Sequence, residues 1–290
     1  METLERLGRK IRTAHDLLSV VKTMKSLAAV NVRQFETAAR SMDEYSNVIE
    51  TGWQALFRNH VHIQSRKRSS VAVCLVIGSD QGMCGQFNDA IVQFSLEEIS
   101  ALKAQGVTPF YWTAGERVRA ELEENLKIEQ HFFLPSSNDA ISDLMFTLVQ
   151  HFAGLHEKEE IEMFFLYYNR LGRAGMYEPV SLQVLPFDEK WSKQHREASW
   201  SSRSLPIIGM EMDAFFEHIF RQHIFASIYK AFAQSLASEN AARLSAMQAA
   251  EKNIIELEEK LQGNFRETRQ SAITAELLEI ISGFEALSIP

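Results

Sequence analysis

The residues best placed for chemistry lie in GSDQGMCGQFN, positions 78–88, between the apolar run VAVCLVI and the amphipathic segment NDAIVQFSLEEISAL. A glycine-rich turn joining a buried strand to a helix lets backbone N–H groups close on a phosphate. A Walker-type phosphate loop needs a lysine and a hydroxyl after its last glycine, where this chain has Gln86 and Phe87 after Gly85. A dinucleotide turn needs G-x-G-x-x-G and an acid ending the second strand. The glycines here are Gly78, Gly82 and Gly85, and that strand ends on Thr113 and Ala114. Neither device is complete, so the turn reads as a structural connection. Cys84 stands near a helix N-terminus, where a thiol becomes a nucleophile, but no base accompanies it in sequence, and it reads as buried and inert. His60 with His62, and His218 with His223, lack a third ligand at a metal spacing. Glu256, Glu258 and Glu259 read as a solvated helix face. The expectation is a chain with no catalytic residue, no bound metal and no cofactor.

Bulk properties narrow the classes further. A net charge of −8 disfavours nucleic acid as the main partner, because phosphate binding needs a basic footprint. Hydrophobic residues make up 46% of the chain, ample for a packed core. No apolar run approaches the roughly 20 residues that span a bilayer, and METLERLGRKIRTAHDLL lacks the apolar core of a signal peptide. Two cysteines, Cys74 and Cys84, suit a reducing compartment. A soluble intracellular chain is expected.

The elements that position these residues follow from proline. The six prolines fall at positions 109, 135, 179, 186, 206 and 290, so the long stretches at either end are free of the residue that breaks helices. An apolar ladder at steps of three and four runs from Leu4 through Leu7, Ile11, Ala14, Leu18, Val21, Ala28, Val32, Phe35, Ala39, Met42, Ile49 and Trp53 to Leu56, interrupted by Lys25 and Ser46. Such a seam is a coiled-coil signal, and one helix over 1–57 would run roughly 80 Å at 1.5 Å per residue. From about residue 210 a second seam passes Phe225, Ile228, Phe232 and Leu236, an alanine-rich stretch, then Ile254, Leu257, Leu261, Phe265, Ile273, Leu277, Ile281 and Phe284. Two such helices most simply pair antiparallel. Between them, strands at 70–77, 107–114, 127–135, 161–171 and 178–187 alternate with helices at 88–104, 116–125 and from Ser137 or Asn138 onward. The expected fold class is α/β plus coiled coil. Its parts are an N-terminal coiled-coil helix (1–60), an α/β domain (69–187), a polar aperiodic connector (188–209) and a C-terminal coiled-coil helix (210–287). Residues 1–40 carry eight Lys/Arg against four Asp/Glu, a basic helix suited to an acidic neighbour.

Three blocks then match something specific. SLASENAARLSAMQAAEKN (235–253) and RETRQSAITAELLEIISGFEAL (266–287) resemble the C-terminal helix of the γ subunit of F-type ATP synthases. SDQGMCGQFN (79–88) resembles that family's S-x-x-G-L-C-G-x-x-N turn, and VVKTMKSLAAV (20–30) its K-x-M-x-x-V-A motif. The resemblance implies an antiparallel coiled coil with a Rossmann-like α/β domain beside its foot. It implies a non-catalytic rotor, the central stalk, that carries rotation between a membrane ion-translocating ring and the catalytic α/β ring. The implied partners are the α and β subunits, the ε subunit and the membrane c-ring. The implied location is peripheral, at the cytoplasmic face of a bacterial inner membrane, with no transmembrane segment. By the same resemblance Arg269 and Gln270 match a pair that engages a loop of the β subunit, and Thr274 and Glu276 match neighbouring coupling positions. Met24 matches a methionine near that β region, Arg243 the arginine of S-E-x-A-A-R, and Gly82, Cys84, Gly85 and Asn88 the structural turn.

The departures are Asn31 in place of a lysine, Met83 in place of leucine, Gln86 after the turn, Asn253-Ile254, and SWSSRSLPIIG (199–209) where relatives have a different stretch near the foot. They point to a divergent bacterial branch. A different class of function, a coiled-coil scaffold or tether without a rotary partner, would have no need of the RQSAIT block.

Overall fold

The computed structural model describes residues 3–58, 70–135, 137–159, 161, 163–172, 176–186, 189–200, 203–204 and 206–287. Among these the elements run α1 (Leu4–Arg58), β1 (Val71–Ile77), α2 (Phe87–Ala104), β2 (Thr108–Ala114), α3 (Glu116–Glu123), β3 (Ile128–Phe132), α4 (Asn138–Glu159), β4 (Met163–Leu171), β5 (Tyr177–Leu185), α5 (Glu189–Glu197) and α6 (Met212–Leu287). The architecture is an α/β sheet with long terminal helices. The chain divides into two compact units, residues 28–243 and residues 1–27 with 244–290.

In the unit of residues 28–243 the sheet order is β3-β2-β1-β4-β5, with β5 antiparallel to β4 and the other neighbours parallel. β1 is apolar throughout and central, as a parallel strand covered on both faces must be. Its alternate residues serve opposite layers. Val73, Leu75 and Ile77 join one core with Ile141, Met145 and Leu148 of α4, Phe35 of α1, and Ile228, Phe232 and Leu236 of α6. Ala72, Cys74 and Val76 face Ile91, Val92 and Ile99 of α2 and Val118 and Leu122 of α3. The Ser137 hydroxyl accepts from the Ala140 amide at 3.4 Å and so caps α4. In this unit α1 and α6 run antiparallel: Asn31 meets Asn240, Asp43 pairs with Lys230, and Tyr45 meets Gln222.

The stretch 188–209, read from sequence as aperiodic, instead holds α5. Trp191 and His195 sit one turn apart, and the Trp191 ring packs edge-on against Trp53 at 5.4 Å and Phe57 at 6.1 Å. Nine residues with two anchoring rings are too few for a helical period to register.

In the other unit Leu7, Ala14 and Leu261 are buried with Ile11, Ile254 and Phe265 around them. Gly8 faces Phe265, and Lys25, the charged interruption of the seam, forms an ion pair with Glu251. Rising numbers on α1 thus meet falling numbers on α6, an antiparallel pair. The predicted second seam needs correction here. Leu257 is 48% exposed, because the stripe drifts at that turn and carries it off the α1 face. Ile273, Leu277 and Ile281 are 54%, 54% and 46% exposed. Since α1 begins at Leu4, opposite the region of Phe265, the last turns of α6 have no partner among the described residues.

Candidate functional site

Past Ile77 the chain turns sharply before α2. A Cβ on Gly78 would lie 1.8 Å from Val118 Cγ2 and 2.8 Å from Asn88 Oδ1, so only glycine fits. Met83 (φ 63°) and Gly85 (φ 62°) both adopt the left-handed conformation. Asn88 ties the turn together: its Oδ1 accepts from the Ser79 amide at 3.0 Å, and its Nδ2 donates to Ser79 Oγ at 2.9 Å. Cys84 is 2% exposed, and burial raises its thiol pKa, the opposite of nucleophile activation. Asn169 of β4 donates to the Phe87 carbonyl at 2.9 Å, and the Phe87 ring meets Tyr177 edge-on at 5.4 Å beside Ala242. A doubly wound sheet binds ligands outside the carboxyl ends of its strands, where strand order reverses. That place lies between β1 and β4, and Phe87, Tyr177 and Ala242 occupy it.

A buried charge network lies beside the turn. Arg243 donates to Glu239 one helical turn earlier, to the Gln81 carbonyl at 3.1 Å, and to Asn240 Oδ1 at 3.5 Å. Asn240 Oδ1 also accepts from Asn31 of α1 at 3.3 Å. Asp80 accepts from the amides of Glu116 and Leu134, both at 2.9 Å. Burial is the largest influence on Glu239, Arg243 opposes it and Asp80 adds to it, and the carboxyl is pushed up to about 7. Sequence reasoning named Arg243 but passed over Glu239. The available signal was an opposite-charge pair at i,i+4 inside an alanine-rich buried stretch. Nearby, Thr113 Oγ1 contacts His131 Nδ1 at 3.0 Å, and His131 Nε2 faces Glu116 at 3.2 Å. That order of groups resembles a hydrolytic relay, but Thr113 is fully buried and has no access to substrate.

A cavity of about 260 Å³ is lined by Ser46, Glu50, Tyr168, Arg170, His223 and Lys230, among others. Lys230 pairs with Asp43 and Arg170 with Glu178, so its cations are already compensated. Burial, reinforced by His195, lowers His223 to about 4 and keeps its imidazole neutral. Ser46, the polar break in the α1 seam, is there because it faces this cavity.

The remaining sequence-predicted residues lie in the unit of residues 1–27 and 244–290. Arg269, Gln270, Thr274 and Glu276 are all exposed on α6. At 3.6 residues per turn, Arg269 and Glu276 share one face to within about 20°, while Gln270 and Thr274 share a second, about 40° apart. The Thr274 hydroxyl donates back to the Gln270 carbonyl at 2.9 Å. Met24 is half-buried on α1, beside the Lys25–Glu251 pair. At 1.5 Å per residue Arg269 lies about 27 Å along α6 from Glu251, so Met24 and the Arg269 group do not form one cluster. Gly82, Cys84, Gly85 and Asn88 do come together in the turn. His60 and His62 lie outside the described residues. Among the described residues no three His, Cys, Asp or Glu side chains gather as a metal set, and no helix is long and apolar enough to cross a membrane.

The fold, a mixed α/β sheet with long N- and C-terminal helices, recurs in solved structures. It matches the rotor of the Euglena gracilis mitochondrial ATP synthase with a TM-score of 0.66 at 15% identity, covering 93% of this chain and 98% of that one. A second structure of that enzyme, an OSCP/F1/c-ring assembly, matches at 0.64 and 16% identity over 98% and 94% of the two chains. The family model described as ATP synthase matches residues 3–287. The ATP synthase gamma chain of Pelagibacter ubique is 27% identical over 99% of this chain and 100% of its own length, and that of Geobacter metallireducens is 27% identical over 99% of each. The chain belongs to the ATP synthase gamma family.

Proposed function

We propose that this chain is the non-catalytic central-stalk rotor of a bacterial F-type ATP synthase. In this reading the end of α6 turns inside the ring of α and β subunits, while the sheet-bearing unit meets the ε subunit and the membrane c-ring. The complex sits peripherally at the cytoplasmic face of the inner membrane. The observation that carries the reading is the unpartnered end of α6. From Arg269 to Gly283 every residue is exposed, yet the segment presents Ile273, Leu277, Leu278, Ile280 and Ile281. A helix apolar on several sides and left bare by the other described residues calls for a surrounding partner. Small and polar residues spaced between the aliphatics suit a surface that must slide rather than stick. A rotor acts only through differential contacts with the states of its partner, which the polar side chains of Arg269, Gln270, Thr274 and Glu276 are placed to make. The filled switch-point crevice and the raised thiol of Cys84 fit a chain that does no chemistry of its own.

The test is Arg269→Ala with Gln270→Ala in the assembled complex. Contacts of this kind are worth roughly 1–2 kcal/mol each, so coupled ion pumping should drop on the order of tenfold or more. The melting temperature of the isolated chain should stay put, because both side chains are solvent-facing. Unchanged pumping and turnover would reject the assigned contact.

A further inference from the structure

We propose that Glu239 is a reversible proton acceptor that clasps the glycine-rich turn to α6 through Arg243 when ionised and loosens that clasp when protonated. The geometry is a closed chain of contacts. Glu239 is 6% and Arg243 8% exposed, and one terminal guanidinium nitrogen of Arg243 serves both the Glu239 carboxylate and the Gln81 carbonyl. Among the described residues Glu239 is the acid paired with Arg243, and the Nε of Arg243 is buried with no partner. Cys84, Phe87 and Ala242 pack around the junction and hold water away. A buried guanidinium keeps its place only while its counter-charge persists. Once the carboxylate takes a proton from bulk water, the ion-pair attraction to Arg243 is lost and only a weaker bond from the guanidinium to a neutral carboxyl oxygen remains. The arginine then keeps its bonds to the backbone carbonyl of the exposed Gln81 and to Asn240 Oδ1, without its ionic anchor.

The groups facing Glu239 favour such an exchange. From the turn come Asp80, whose negative charge opposes that of Glu239, and the thiol of Cys84, which Tyr177 of β5 neighbours. From α3, Arg117 covers Gly82, and α1 contributes the neutral amide of Asn31. With burial the largest influence, the carboxyl stands at about 7 against 4.5 for the free side chain. Between those two values the folded chain holds a proton that the unfolded chain releases. The contribution of Glu239 to overall stability therefore falls as pH rises from about 4.5 to about 7 and is level above. Proton uptake thus favours the folded state as a whole while it slackens the turn. General acid effects do not combine these two opposite signs.

The experiment uses the full chain. Amide hydrogen exchange at Ser79, bonded to Asn88 in the turn, is followed from pH 8 to pH 6 beside carbon-13 titration of the Glu239 carboxyl. The expected protection factor of Ser79 drops severalfold on acidification in the wild type. In Glu239→Gln it is low and independent of pH. Relative to that variant, the wild-type folding equilibrium should weaken by up to about tenfold per pH unit as pH rises from 6 to 7. The proposal is overturned by pH-independent protection in the wild type, by the same pH dependence persisting in Glu239→Gln, or by a Glu239 carboxyl that titrates in the ordinary range. Should Glu239→Gln not fold, Asp80→Asn decides. Removing the like charge must move the Glu239 midpoint downward, and an unmoved midpoint overturns the proposal.

Discussion

At the scale of single residues, the turn shows how little room separates a structural connection from a binding loop. Gly78 is required by the Val118 methyl that would meet its side chain at 1.8 Å. Gly78→Ala should therefore cost about 1–3 kcal/mol through overpacking, measurable as a lowered midpoint in urea unfolding, and an unchanged midpoint would show that Val118 yields freely. The missing lysine after Gly85 was enough to set the phosphate reading aside from sequence, because a phosphate loop is defined by residue types at fixed offsets. Glu239 was not legible in the same way. Its significance comes from burial beside Asp80, which stands on another element far away in the chain, and no spacing rule encodes that meeting. Arg269, Gln270, Thr274 and Glu276 could be placed on a helix from sequence, yet only the starting point of α1 shows that they stand beyond its reach.

At the scale of elements, periodicity was informative wherever a helix or strand was long. Of the α1 ladder, Leu7, Ala14, Leu18, Ala28, Phe35, Ala39, Ile49, Trp53 and Leu56 are buried, while Leu4, Ile11, Val21, Val32 and Met42 are half-buried at its margin. Its two interruptions have separate physical causes: Lys25 finds Glu251, and Ser46 faces a polar cavity. The helix α5 was missed for want of length, and Leu257 was misplaced because the stripe drifts. Gly263 is a different case. It lies inside α6, and a Cβ there would meet nothing within 4 Å. Gly263→Ala should raise stability by about 0.5–1 kcal/mol, since alanine loses less conformational freedom on entering a helix. Thermal unfolding of the two chains side by side gives the answer, and a loss of stability would mean that the glycine's bareness serves packing after all.

At the scale of the whole molecule, the purified chain should bind no ATP and hydrolyse none. Phe87, Tyr177 and Ala242 stand where a doubly wound sheet would take a nucleotide. Calorimetric titration with ATP and magnesium should give only heats of dilution, and a saturable isotherm would contradict the proposed non-catalytic role. The division into units has a consequence for how the polypeptide is made. One unit is assembled from residues 1–27 and residues 244–290, so its first half leaves the ribosome long before its second exists. At ~5–20 residues per second, Leu7, Ile11 and Ala14 wait about twelve to fifty seconds for Leu261 to be synthesised. During that interval a nascent apolar stripe stands open to solvent, and a cell making this chain must shelter it or finish translation before it sticks elsewhere.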